Sequence, residues 1–142
     1  MSLLVTSTKQ ALVDACNEEG LNAFYGWPSR WDNRGCVVVG AVSADYSRAS
    51  FASNRRIRDQ ENWDLQISVV SGQHHRSPKE AEEQALRLLD SLLDVMIDLD
   101  APEGVLWTVP ERVSTTEEWT DEARSIRLDL SVSIGIRQRG GT

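Results

Sequence analysis

From Ile126 to Arg137 apolar and polar residues alternate without a break: Ile126, Leu128, Leu130, Val132, Ile134 and Ile136 against Arg127, Asp129, Ser131, Ser133 and Gly135. Successive side chains of a strand point to opposite faces, so this stretch reads as one long strand with an apolar and a polar side. A slip of one residue would expose all six aliphatic side chains, which fixes its register firmly. Such a strand needs partners at its edges and a layer over its apolar face.

The rest of the chain offers both. Asn62–Val70 alternates in the same manner, with Trp63, Leu65, Ile67 and Val69 opposite Asp64, Gln66 and Ser68. Cys36–Val42 is a continuous β-branched run, as expected of a strand buried on both faces or across an interface. Leu21–Trp27 is a short extended piece broken by Pro28, Trp27–Gly35 reads as a loop, and Arg112–Trp119 suits another strand.

Two helices are expected to supply the covering layer. The first runs from a cap at Thr6 or Ser7 to about Glu19, with Val5, Leu12, Ala15 and Cys16 on one side and Gly20 as its stop. The second is the clearest element. Ser77 is its N-cap, Pro78 takes the first helical position and Glu80 completes a capping box. Ala81, Ala85, Leu88, Leu89, Leu92, Met96 and Leu99 form its apolar stripe, and Glu83, Arg87, Asp90, Asp94 and Asp98 its wet face. The expectation is a single α+β domain over residues 1–142, in the order α-β-β-β-α-β-β. A mainly antiparallel sheet of four to five strands carries two helices on one face.

The segment at about 45–60 breaks every pattern. It holds Arg48, Arg55, Arg56 and Arg58, small residues at Ala49, Ser50, Ala52 and Ser53, and Phe51 and Ile57 as its apolar anchors. It joins two strands as a long β-hairpin loop, and a loop of that length within a domain is usually functional. Of the chain's basic residues only Lys9 and Lys79 are lysines, against 13 Arg. Guanidinium groups fork onto carboxylates and favour protein interfaces. On a chain of net charge −7 such a segment finds complementary charge on a second copy of the same molecule.

Catalytic and metal chemistry finds no constellation. His74 and His75 are adjacent, so their side chains diverge, and a third His is absent from the sequence. Phosphate-cradling glycine loops are absent, as is a nucleophile elbow. Gly72–Ala81 resembles the loop and helix start of double-stranded-RNA-binding domains, but Pro78, Glu82 and Glu83 stand where that family needs cations. The acidic balance also argues against phosphate-backbone binding. No run approaches the ~20 apolar residues of a membrane-spanning helix. Cys16 and Cys36 are too few for a disulfide framework and read as small buried hydrophobes.

The whole pattern resembles the tail terminator, or tail completion, proteins of long-tailed bacteriophages. The resemblance is carried by the Met1–Glu19 helix leading to Phe24-Tyr25 and Trp27-Pro28, and by the pair Val37–Ser43 and Trp63–Val69 around a long loop. It continues through the helix opened by Ser77-Pro78-Lys79-Glu80-Ala81 and ends on the closing strand Ser131–Arg137. It implies a non-enzymatic virion protein without cofactor, assembled in the host cytoplasm. Six copies would form a ring that caps the tail tube and joins the tail to the head neck. Its partners would be the tail tube protein and a head-side neck or stopper protein, with double-stranded DNA passing through the bore unbound. In that setting Arg48, Phe51, Arg55, Arg56, Ile57 and Arg58 are expected at a subunit or tube interface, and Asp64 and Asp129 on the channel wall. The other readings are a different head–tail joining or tube-associated protein, or a generic α+β binding module.

Overall fold

The computed structural model describes residues 2–32, 34–44, 60–73, 75–100, 105–107, 112–119 and 124–137. Helix α1 spans Ser2–Glu18 and is followed by β1 (Ala23–Tyr25), β2 (Cys36–Ser43) and β3 (Gln60–Val70). Helix α2 spans Pro78–Asp98, and β4 (Val105–Trp107), β5 (Arg112–Trp119) and β6 (Arg124–Arg137) complete the chain. The architecture is the expected α+β one, with the short strand β4 added.

The alternating strand is the centre of the sheet. β6 pairs antiparallel with β3 from Gln60↔Arg137 to Val70↔Arg127. Its other edge is divided between β5, at Arg124–Ser131, and β4, at Ile134–Ile136. The sheet order is β1-β2-β3-β6-β4, with β5 beside β4 on the same edge of β6. Val37 and Val39 of β2, Leu65, Ile67 and Val69 of β3, and all six aliphatic residues of β6 face the helices and join one core. Each such side chain, removed from water, contributes roughly 1.5–3 kcal/mol, which is what locks the register.

Three local features depart from the expected pattern. β1 runs parallel to β2, pairing Ala23 with Val37 and Tyr25 with Val39, because the segment from Gly26 to Gly35 doubles back instead of forming a hairpin. Trp31 anchors that return by donating its indole N–H to the Ser71 carbonyl at 3.1 Å. Cys36, Val38 and Val70 are thereby covered on the side of the sheet away from the helices, with Phe24 and Trp31 over them. This explains why the first half of β2 is apolar throughout. Beyond a register shift between Val39 and Val42 the strand alternates.

The third departure is the start of α1. Thr6 and Ser7 do not cap it: the helix already begins at Ser2. The Thr6 hydroxyl donates to the Leu3 carbonyl at 2.9 Å and that of Thr8 to Leu4 at 2.6 Å, so both are spent on the preceding turn. The C-terminus behaves as expected. Gly20 sits at φ +84°, with Leu21 N–H bonded to the Cys16 carbonyl and Gly20 N–H to that of Asn17, a Schellman closure. Lys9 then ties α1 to β1, its ammonium 4.3 Å from the centre of the Tyr25 ring.

Helix α2 follows its sequence closely. The Ser77 hydroxyl accepts from Glu80 N–H at 3.3 Å, and the Glu80 carboxylate accepts from Arg76 N–H, one residue before the expected capping-box donor. Ala81, Ala85, Leu89, Leu92, Val95 and Met96 are buried against the sheet.

Candidate functional site

Both helices cover one side of the sheet; on the other side, beyond the apolar patch under Phe24 and Trp31, β3, β5 and β6 present an open polar face. The β3–β6 register places Asp64 opposite Ser133, Gln66 opposite Ser131 and Ser68 opposite Asp129. Pairing with β5 adds Arg112, Ser114 and Thr116 beside Ser131, Asp129 and Arg127. Ser43, opposite Asp64, continues the face onto β2. Asp64 and Asp129, the two expected channel residues, therefore share this face. They stand four residues apart along the strand direction, about 13 Å at the usual strand rise.

Their surroundings differ. Asp129 accepts from the Ser68 hydroxyl at 2.7 Å and from Arg127 Nε at 3.1 Å, so its charge is held in a small ion-paired cluster. The Arg127 guanidinium in turn lies 5.8 Å from the centre of the exposed Trp27 ring. Asp64 is exposed, with a long 3.5 Å contact from the Ser133 hydroxyl. Gln66 reaches Ser131 at 3.4 Å. Two carboxylates, Asp64 and Asp129, thus face two guanidinium groups, Arg112 and Arg127, amid a field of hydroxyls. The described part of the face is charge-balanced and hydroxyl-rich.

The negative charge collects instead on the helix side. An open groove of about 480 Å³ lies between the C-terminal parts of α1 and α2. Glu18 and Glu19 line it at the end of the first helix, Asp94, Asp98 and Asp100 at the end of the second, over Ala15, Val95 and Leu99. Neither helix carries a basic residue in its last turn, so both negative dipole ends add to the carboxylates. The sequence showed Asp94 and Asp98 as part of a wet helical face. That Glu18 and Glu19 join them depends on how the two helices cross. The missing basic residues at both helix ends were the legible signal.

At the level of sequence no known family model matches the chain, and no curated protein matches it. A solved structure does. The chain superposes on a chain of the virion of a native gene transfer agent particle with a TM-score of 0.57. The match covers 93% of each chain at 14% identity. At that identity the likeness is one of fold.

The remaining sequence candidates fall in two groups. Arg48, Phe51, Arg55, Arg56, Ile57 and Arg58 lie outside the described residues, in the stretch that joins the antiparallel neighbours β2 and β3. His75 is structural: its Nε2 lies 2.8 Å from Gln84 Oε1, which also accepts from Gly72 N–H at 2.7 Å. An oxygen in that position requires Nε2 to carry the proton, so His75 braces the turn into α2. Burial raises both thiols, Cys16 to about 11 and Cys36 to about 12. A thiol held protonated in this way is a poor nucleophile and a poor metal ligand. Among the described residues no group of three or more His, Cys, Asp or Glu is arranged to hold a metal ion. No described helix is long and apolar enough to cross a membrane.

Proposed function

We propose that this chain is a structural protein of a phage-like virion, acting as a tail terminator. In this reading six copies form a ring that closes the tail tube and presents the surface to which the head neck attaches. The observation that supports it best is the likeness of fold, over nearly the whole of both chains, to a component of a gene transfer agent virion. The terminator role within that class rests on the sequence resemblance, carried by the strand pair Val37–Ser43 and Trp63–Val69, the long connection between them and the helix opened by Ser77-Pro78.

In such a ring the open sheet face with Asp64 and Asp129 lines the bore. The helices pack outside, and Arg48, Phe51, Arg55, Arg56, Ile57 and Arg58 contact a neighbouring subunit or the tube. A charge-balanced, hydroxyl-rich wall gives phosphates little to hold, so a duplex slides along it. The chain carries out no catalysis in this role. Because the likeness attaches to a virion and not to one position in its neck, another head–tail joining or tube-associated role is the second reading.

The test is the product of assembly. Native mass and negative-stain images of the purified chain with its tube protein should show rings of six seated on tube ends. Particles lacking the chain should carry tails of uncontrolled length without heads. Tails of normal length in its absence would overturn the terminator role.

A further inference from the structure

We infer that the groove between the C-terminal ends of α1 and α2 is the receptor for the Arg-bearing 45–59 segment of a second copy of this chain. The inference deepens the ring reading and rests on it. Complementarity of charge and of apolar character both point to this occupant. The groove presents Glu18, Glu19, Asp94, Asp98 and Asp100, and among the described residues none of these five carboxylates has a cationic partner. Two helix C-termini sharpen the negative potential there.

The chain itself contains the matching charge. Residues 45–59 hold Arg48, Arg55, Arg56 and Arg58 against Asp45 and Asp59, a net +2. The whole chain is −7, so the remainder carries −9. The apolar part matches as well. The groove has a floor of Ala15, Val95 and Leu99. The segment brings Phe51 and Ile57 among its arginines. A basic segment with apolar anchors meeting an acidic groove with an apolar floor is a heterologous contact, donor on one copy and acceptor on the next. Contacts of that kind close into rings when the rotation allows.

Charge reversal on both sides, followed by mixing, tests this. Asp94 and Asp98 are exposed, so Asp94→Arg with Asp98→Arg leaves the core intact, which far-UV circular dichroism verifies. The second variant is Arg55→Glu with Arg56→Glu. Sedimentation of each variant alone should show the dissociation constant for self-assembly raised by ~30-fold or more. An equimolar mixture of the two should regain assembly, because wild-type arm then meets wild-type groove and reversed arm meets reversed groove around the ring. Variants that assemble alone as wild type does would overturn the inference. So would a mixture that stays monomeric, the result expected if the segment docked in its own groove. A wild-type chain that remains monomeric at every concentration, with and without the tube protein, would instead sink the ring reading itself.

Discussion

Gly35 sits where even one added methyl group meets the backbone of a neighbouring strand. It adopts φ +75°, and a Cβ added there would meet the Val70 carbonyl oxygen at 2.5 Å and Leu88 Cδ1 at 2.8 Å. The first contact is with backbone, which cannot swing aside. Gly35→Ala should therefore cost about 2–4 kcal/mol, combining a left-handed alanine with overpacking against β3. Gly20, at φ +84° with nothing within 4 Å, provides the control: Gly20→Ala should cost only the backbone part, about 1 kcal/mol. Urea midpoints decide between them, and equal losses at the two sites would refute the close approach at Gly35. The buried thiols make a second residue-scale prediction. A folded pKa raised from 9.0 to about 11 in Cys16 and about 12 in Cys36 means the folded state keeps protons that the unfolded state releases. Their contribution is complete below pH 9 and is lost as pH rises through those values. Melting temperature should fall between pH 9 and 11 more steeply in the wild type than in Cys16→Ala or Cys36→Ala. Parallel slopes in all three would count against thiol burial as the cause.

At the scale of elements, β6 holds the molecule together. It is hydrogen-bonded to β3 along its length and to β4 and β5 on the other edge, whereas β1 pairs over three residues. Amide exchange should accordingly be slowest in β6 and the facing residues of β3, and fastest among the strands in β1 and β4. Exchange in β1 as slow as that in β6 would contradict the topology. The same contrast explains what could be read from sequence. β6, β3 and α2 were legible because alternation, a Ser77–Glu80 cap and a helical stripe are local signals. The parallel pairing of β1 was not, since it depends on Trp31 reaching Ser71 across the fold. β4 is three residues long and owes its existence to the edge of β6 that β5 leaves free. Thr6 suggested a cap by residue type, but its hydroxyl found the Leu3 carbonyl first. For the candidate site, alternation placed Asp64 on the polar side of β3 and Asp129 on that of β6. Alternation also put Arg127 beside Asp129, but only the register brings the Ser68 hydroxyl to that carboxylate, and only the helix crossing gathers Glu18 with Asp94.

Considered as a whole molecule, the protein separates its charge by layer. The helix side holds the five-carboxylate groove, while the described part of the open sheet face balances Asp64 and Asp129 against Arg112 and Arg127. Duplex DNA should find neither side attractive: one repels phosphates and the other lacks the clustered cations from which backbone affinity arises. Retention of a labelled duplex on filters at low salt is expected to be negligible for the wild type. The face can be converted by a small change. Asp64→Arg with Ser131→Arg removes the exposed carboxylate of its described part and adds two guanidinium groups beside Arg112 and Arg127, with no buried side chain altered. That variant should retain duplex DNA, and retention should decline steeply between 50 and 200 mM salt, as expected when several phosphates release counterions together. On the proposed ring reading it should, in particles, still build tails of normal length yet slow the passage of the genome, because that reading puts assembly and conduction on opposite sides of the sheet. Tight, salt-sensitive binding by the wild type would count against the proposed bore lining, since a wall that grips phosphates would hold the duplex instead of letting it slide.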